Sequence, residues 1–438
     1  MPLTLKGIIS GMRMRWQSAP DVRKPNNNTR YRIVDAILSA WSVFFMQSPS
    51  FLAHQRLLQS KQGRNNATNL FEISHLPSDP QVRNLLDPVP ETYFQDDFWS
   101  LFDRLDDQRY LLQFRSELGT HLLALDGVTH FSSEEISCPA CLKRQDKQGK
   151  VHFYHSAIIP VIVKPGRAQV IPLPPEFITP QDGQEKQDCE RNAAKRWLKQ
   201  HHPHFADHKI TYLGDDLYAN QPLCQMIAEL YHQFFIFVCK PDSHTSLYET
   251  VAFLEKNGAI QTLSQRRWNG KHGEIWRYRF INQVPLRHGN DALAVNWCEL
   301  VVSHELSGEV LYHNAFITNH PLTAGTVAII VQAGRTRWKI ENENNNTLKT
   351  KGYHLEHNFG HGKQHLSNVL ITLNLLAFLL HTVQEITNPV YQALRQALGA
   401  RKTFFDDLRA LTRYLLFEDW DALFQFMADS LEISPAPP

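Results

Sequence analysis

The sequence predicts an α/β protein in which helical regions flank a core that contains β-strands. Three observations lead to this prediction. Apolar residues recur at helical spacing before residue 118 and after residue 322, and short apolar runs that end in acidic residues lie within 119–240. Patterns that alternate with a period of two follow between residues 263 and 318. The chain has 438 residues, which corresponds to roughly two or three domains.

The composition excludes several classes of protein. Hydrophobic residues make up 42% of the chain and charged residues 20%, so wholesale disorder, a coiled coil and a collagen-like fibre are excluded. The 45 Lys and Arg residues nearly balance the 44 Asp and Glu residues, so any nucleic-acid partner must be held by local basic patches. Six cysteines are too few for a disulfide scaffold and no signal peptide is visible, so we expect reduced thiols in the cytoplasm.

The predicted regions follow one another along the chain. They are a basic arm (1–30) that ends in a polar turn at 25–28, a helical domain (31–118) with a loop at 61–68, the first part of an α/β core (119–240), a β-rich insertion (241–321), the second part of the core (322–385) and a C-terminal helical region (386–438). The apolar run 366–380 contains Asn368 and Asn374 and is short for a membrane span, which favours a buried core helix.

Acidic residues follow two of the predicted core strands. Asp126 ends the apolar run that begins at His121, and Asp216 comes just after the strand 210–213. Two such carboxylates on neighbouring strands can share Mg²⁺, which prefers hard oxygen ligands. Glu341 lies on a predicted helix, four residues after Arg337 and on the same face, and it would complete a two-metal site for phosphoryl transfer.

An aspartate after a strand is often only a turn residue or a helix cap, so the order of the elements carries more weight than any one residue. The predicted order is strand and Asp, two strands, helix, strand and Asp, helix, strand, and finally a helix with Glu. That order is the layout of a ribonuclease-H-like fold.

In its motifs the chain resembles a DDE transposase of a bacterial insertion sequence, in the group with a β-strand insertion and a Tyr-Arg-Glu-Lys-type signature. The resemblance covers residues 77–383 and rests on short motifs at 125–128, 213–218, 334–341, 348–353 and 361–367. It implies that Asp126, Asp216 and Glu341 bind two Mg²⁺ or Mn²⁺ ions, and that Arg337 and Lys349 hold phosphates.

The chain departs from the family signature at two positions. The Tyr of the signature falls on Gly334, and its Lys falls on Leu348, one residue before Lys349. A one-residue bulge in the helix would bring Lys349 back into register. Asp215 remains the alternative to Asp216, and Glu343 the alternative to Glu341.

The resemblance implies an enzyme that cleaves DNA at transposon ends and joins the freed strand to a target, acting as a homodimer at the bacterial nucleoid, away from membranes. The basic arm and the helical domain would bind the terminal sequences, with an affinity that falls as salt rises. Two alternatives are a non-catalytic DNA-binding protein derived from a transposase and a ribonuclease-H-like nuclease that cuts without joining strands.

A cysteine–histidine cluster offers a second kind of chemistry. Cys138 and Cys141 form a CxxC motif, and His152 and His155 follow, which is a donor set for tetrahedral zinc. The two histidines are three residues apart on a predicted strand and face opposite sides, so at most one is easily a ligand. The sequence favours the alternative, a turn with two reduced thiols.

Two further groups of residues are candidates for contacting DNA. A loop rich in His and Gly (354–365) is predicted to face DNA together with Lys349, Lys351 and Lys363, although a solvated loop is the alternative. Among the tryptophans of the β-rich insertion, Trp268 precedes Asn269 and Gly270 and is predicted to contact an extruded base, whereas Trp276 and Trp297 are predicted to pack in the core.

Overall fold

The computed structural model describes residues 3–23, 30–182 and 186–433. The protein is mixed α/β, with one large sheet, one small sheet and helices on either side of them. The polar turn predicted at 25–28 lies outside the described residues.

The N-terminal part is helical, as predicted. Its helices are α1 (Leu5–Trp16), α2 (Ile33–Phe45), α3 (Phe51–Gln59), α4 (Lys61–Phe71), α5 (Asp79–Leu86) and α6 (Gln95–Asp107). Every residue of α2 is buried, so this apolar helix forms the centre of the region and the other helices pack around it.

Two predictions for this region are wrong. The basic arm is not irregular over residues 5–16, because apolar residues recur at helical spacing and five of them are buried in α1, while Thr4 caps the helix. The predicted loop at 61–68 is the helix α4, which Ser60 caps. Long-range contacts stabilise this polar segment, since Asn66 donates to the backbone carbonyls of Thr412 and Leu415 at 2.8 and 2.7 Å.

The core of the large sheet is built from both parallel and antiparallel pairs. The strands of the structure are β1 (His121–Ala124), β2 (Gly127–Ser133), β3 (Leu142–Gln145), β4 (Val151–Ile158), β5 (Val161–Val163), β6 (Ile171–Pro172), β7 (Glu176–Ile178), β8 (Ile210–Gly214), β9 (Phe234–Val238), β10 (Gln261–Trp268), β11 (Gly273–Pro285), β12 (Ala294–His304) and β13 (Val310–Thr318). The large sheet has the order β10-β11-β12-β13-β9-β8-β1-β5-β6. Strand β1 pairs in parallel with β8 and antiparallel with β5, and β8 pairs in parallel with β9.

The predicted β-rich insertion is present as the four antiparallel strands β10 to β13, which extend the large sheet through the pair of β13 with β9. A small sheet of β2, β4, β3 and β7 leaves the core directly after Asp126. The residues from Tyr154 to Val163 form one largely apolar run in the sequence. The structure divides this stretch at Pro160, where the chain passes from β4 of the small sheet to β5 of the large one.

The remaining helices are α7 (Lys186–His201), α8 (Gln221–Gln225), α9 (Thr245–Lys256), α10 (Val327–Arg335), α11 (Asn346–Thr350), α12 (Leu366–Thr387), α13 (Pro389–Leu398), α14 (Arg401–Tyr414) and α15 (Trp420–Ser430). Short 3-10 segments lie at Glu91–Phe94, Tyr110–Phe114, Pro180–Asp182, His202–Phe205 and Pro241–Ser243, and π-helical turns at Met226–Leu230 and Ile340–Asn345. Among the described residues, α12 has the length and apolar composition of a membrane span, but 94% of its most apolar stretch is buried inside the protein, as predicted for a core helix.

Candidate active site

The parallel pair of β1 and β8 brings two acidic positions to one edge of the large sheet. Ala124 of β1 lies opposite Leu213 of β8, so both strands end at the same level. Asp126 follows the first strand and Asp215 the second. Because neighbouring parallel strands end at the same edge of the sheet, residues that are far apart in sequence meet there.

Asp126 is the centre of a group of negative charges. The pKa of this carboxyl is raised to about 7, mainly by burial and also by the charges of Glu341, Asp215 and Glu190, while Arg337 opposes the rise. Its Oδ2 accepts a hydrogen bond from Asn345 at 3.2 Å. The site therefore holds several carboxylates that repel one another.

Asp215 and Asp216 point to different partners. Asp215 contributes to the raised pKa of Asp126 and accepts a hydrogen bond from the amide of Leu217 at 2.9 Å. The carboxylate of Asp216 accepts from the amide of Lys240 at 2.6 Å and lies 3.4 Å from His244 Nε2. Burial raises the pKa of Asp216, but its hydrogen bonds outweigh this effect and leave the pKa below its ordinary value. The predicted residue Asp216 thus contacts the segment between β9 and α9, whereas the charge of its neighbour Asp215 raises the pKa of Asp126.

Glu341 lies close enough to Asp126 for its charge to raise the pKa of that residue, whereas Glu343 lines other cavities. Glu341 Oε1 is 2.8 Å from the guanidinium of Arg337, and about half of its side chain is exposed. Glu343 lines cavities of about 770 and 380 Å³, and its charge helps to raise the pKa of the buried Arg401. The two acids are separated because they lie two residues apart on a helical turn.

The π-helical turn Ile340–Asn345 contains the extra residue that the family signature would need between Glu341 and Lys349. The same turn places Asn345 against Asp126, and Asn344 in turn donates to Asn345 at 2.9 Å. The run of asparagines, which the sequence showed only as a polar tract, therefore includes a residue of the site.

Two other residues near Asp126, Glu190 and Tyr218, were not predicted as members of the site. Glu190 of α7 lies so close to Gly127 that a Cβ at Gly127 would approach its carboxyl carbon to 2.9 Å. Tyr218 is buried, and this burial, together with the charges of Glu190, Asp126 and Asp215, raises the pKa of its hydroxyl. Gly127 beside Asp126 indicates a close approach by some other group, but it does not indicate which group.

A cleft of about 640 Å³ opens beside Asp215. Its lining includes Arg191, Lys240 and Arg287, together with the acids Asp215 and Asp216. Positive side chains next to a carboxylate site provide a surface for a polyanion.

The other residues predicted to contact DNA lie in different surroundings. Lys349 Nζ is 2.8 Å from Glu356, Lys351 lines a separate cavity of about 770 Å³, and the side chain of Lys363 is exposed. Trp268 is 69% exposed at the end of the β10–β11 hairpin. Trp297 is fully buried, as predicted, whereas Trp276 is only partly buried and its ring contacts the guanidinium groups of Arg267 and Arg335. The contact of Trp268 with DNA stays a prediction.

The cysteine–histidine cluster differs from the predicted set in one member. Cys138, Cys141, His155 and His361 each offer a donor atom, and all four atoms lie within 4.8 Å of one another. His152 Nε2 instead lies 3.3 Å from Asp146. His152 and His155 separate because an odd spacing along a strand places them on opposite faces. His361 comes from the loop that was predicted to face DNA, but its side chain is buried.

No protein-family model matches this chain, and no curated protein matches it. Among solved structures, the chain is similar to a piggyBac transposase in a synaptic complex with hairpin DNA, with a TM-score of 0.40 and 9% sequence identity. The alignment covers 100% of this chain and 83% of that chain. A likeness at this level does not establish a shared activity.

Proposed function

We propose that this chain is a DNA transposase whose phosphoryl-transfer site consists of Asp126, Asp215 and Glu341. The observation that carries the proposal is the arrangement around Asp126. Acids from three distant parts of the sequence, Glu190, Asp215 and Glu341, lie close enough to raise the pKa of its carboxyl. Asp126 follows β1, Asp215 follows β8 and Glu341 lies on a late helical turn, which is the order of elements that led to the family resemblance.

The donor set fits a pair of divalent cations such as Mg²⁺. Carboxylate oxygens are the ligands that Mg²⁺ prefers, and the charges of Glu341, Asp215 and Glu190 add to the effect of burial in raising the pKa of Asp126. A bound metal pair would supply a nucleophile and stabilise the charge that develops on the phosphate. Asp126, Asp215 and Glu341 would hold it, and Glu190 lies close enough to contribute another oxygen.

The surrounding side chains orient these acids and the substrate. Asn345 fixes one oxygen of Asp126, and Arg337 holds Glu341 at 2.8 Å. Arg337 retains further guanidinium donors that suit a phosphate oxygen. The cations of the cleft beside Asp215 extend this positive surface along a DNA backbone, and the exposed Trp268 offers a flat face for an unstacked base.

The proposal is tested with labelled duplexes that cover the DNA segments on both sides of the coding sequence. The purified protein with Mg²⁺ is expected to cleave one strand at a defined position and to join the new 3′ end to a second duplex. Asp126→Asn and Glu341→Gln should each lower both steps by at least about 100-fold, while gel-shift affinity for the same duplex stays within about threefold of wild type in the absence of metal.

Asp97→Asn serves as a control, because Asp97 is a buried aspartate of the helical region that Arg15 and Trp16 contact. Cleavage without joining would identify a nuclease. Binding without any cleavage would identify a DNA-binding protein and would overturn the catalytic proposal.

A further inference from the structure

A second polar cluster lies between the small sheet and the loop that precedes α12. The CxxC turn contributes Cys138 and Cys141, β4 contributes His155, and the loop contributes His361, which is 206 residues further along the chain. We infer that these four side chains bind one structural Zn²⁺ ion, a site that is separate from the proposed catalytic acids.

Five of the six separations of the donor atoms match a tetrahedron around zinc, and the sixth, between Cys138 Sγ and His361 Nε2, is at most 4.8 Å. Ligand bonds of about 2.3 Å to sulfur and 2.0–2.1 Å to nitrogen place two sulfurs about 3.8 Å apart, a sulfur and a nitrogen about 3.5 Å apart, and two nitrogens about 3.3 Å apart. The two Sγ atoms are 3.7 Å apart, and the two Nε2 atoms 3.2 Å apart. The sulfur–nitrogen distances are 3.5 Å from Cys138 to His155, and 3.4 Å from Cys141 to each histidine.

The hydrogen bonding of His361 favours metal binding. Its Nδ1 lies 3.0 Å from the carbonyl oxygen of Gly362, which can only accept, so Nδ1 carries the proton and the Nε2 lone pair points into the cluster. A backbone carbonyl at the second ring nitrogen is the usual support for a zinc-bound histidine. Zinc would bind the two cysteines as thiolates, and their two protons would pass to solvent.

The ion would join parts of the chain that are remote in sequence. The loop that carries His361 is also held by Asp87, whose carboxylate accepts from the amides of Lys363, Gln364 and Leu366 at 3.0–3.2 Å. Phe131 of β2 packs on the ring of His361, with centroids 4.5 Å apart. Zinc would therefore attach the small sheet, which begins one residue after Asp126, to a loop anchored on the helical region.

Metal content of the purified full-length protein tests this inference. Elemental analysis is expected to find one zinc per chain, and Cys141→Ser and His361→Asn should each retain less than a fifth of it. His152→Asn is the matched control, since His152 is three residues from His155 on the same strand and contacts Asp146, and it should keep a full equivalent of zinc.

Cobalt substitution identifies the ligands without reference to activity. Co²⁺ added to zinc-stripped protein should give the visible bands of a tetrahedral site and a thiolate charge-transfer band, and His361→Asn should change the visible bands. Circular dichroism shows which variants remain folded. If wild-type protein with reduced thiols binds neither ion, or if the two cysteines are recovered as a disulfide, the inference is wrong. Equal zinc in wild type and folded His361→Asn would also contradict it.

Discussion

Strand β2 connects two polar clusters that differ in their chemistry. Asp126 comes directly before β2, and Phe131 within it pairs with His155 of β4. At the first end the donors are carboxylates that repel one another, and Glu341 is half exposed. At the second end the donors are two sulfurs and two nitrogens, three of the four residues being buried.

The difference indicates which cluster performs chemistry. Four soft donors at tetrahedral spacing complete the coordination of a metal and leave no position for a substrate, which is typical of structural zinc. A group of carboxylate oxygens that includes the half-exposed Glu341 satisfies only part of the coordination of Mg²⁺, which usually keeps water or substrate phosphates as ligands. We therefore propose that the cluster at Asp126 performs the chemistry and that the cluster at His361 adds rigidity.

The largest expected effect distinguishes two adjacent residues of the first cluster. Asp215→Asn should lower DNA cleavage by more than about 100-fold, because the loss of a ligand of the proposed metal pair costs more than the loss of a contact outside the coordination sphere. Asp216→Asn should lower it by less than about tenfold, since an asparagine oxygen can still accept from the Lys240 amide. Cleavage rates at saturating Mg²⁺ measure both effects, and the reverse order would restore Asp216 as the ligand.

The second cluster should respond in stability. Cys141→Ser is expected to lower the free energy of unfolding by at least about 2 kcal/mol, because a structural metal that binds only the folded state stabilises it. Thermal unfolding followed by circular dichroism measures the change, with His152→Asn as the control. Equal Tm values for wild type and Cys141→Ser would show that the cluster does not support the fold.

The sequence predicted the parts of this comparison that depend on local pattern. The apolar runs before Asp126 and Asp215 indicated strands, and the four-residue spacing of Arg337 and Glu341 indicated a shared helix face. The CxxC motif offered donors for zinc, although the sequence favoured a turn with two reduced thiols. The β-rich insertion was also predicted, because alternation with a period of two is a local signal.

The sequence did not predict the partners that only the tertiary fold brings together. Glu190 and His361 come from segments whose own patterns indicate a solvent-exposed helix and a loop, so nothing local connects them to Asp126 or Cys141. The helix α4 was missed because its stability comes from contacts of Asn66 with the chain near residue 415. Asp215 and Asp216 could not be separated because a turn can direct either side chain toward the site.

A third prediction concerns the pH dependence of stability. The pKa of Asp126 is about 7 in the folded protein, above its ordinary value of 3.8. The folded state therefore binds this proton more tightly, and the associated stability is lost as the pH rises from about 4 to about 7. Asp126→Asn cannot ionise, so it should be more stable than wild type at pH 8, by about 0.5–2 kcal/mol, with a smaller difference at pH 5.

Urea denaturation at the two pH values, without added Mg²⁺, measures this difference. Mg²⁺ at pH 8 should stabilise wild type more than Asp126→Asn, because the ion binds the charged carboxylate of the folded state. A variant that is less stable than wild type at pH 8 would mean that Asp126 is not under electrostatic strain.

The smallest expected effect is that of Lys349, which decides how far the first cluster extends toward DNA. Lys349 Nζ lies 2.8 Å from Glu356, and 31% and 62% of the two side chains are exposed. Such a pair contributes less than about 1 kcal/mol, so Lys349→Ala should leave Tm nearly unchanged.

If Lys349 contacts a phosphate, the variant lowers DNA affinity for all sequences alike and reduces the slope of log affinity against log salt by about 1. Glu356→Gln should act in the opposite direction because it frees the ammonium group. Unchanged salt slopes in both variants would confine the DNA surface to Arg337 and the cleft beside Asp215.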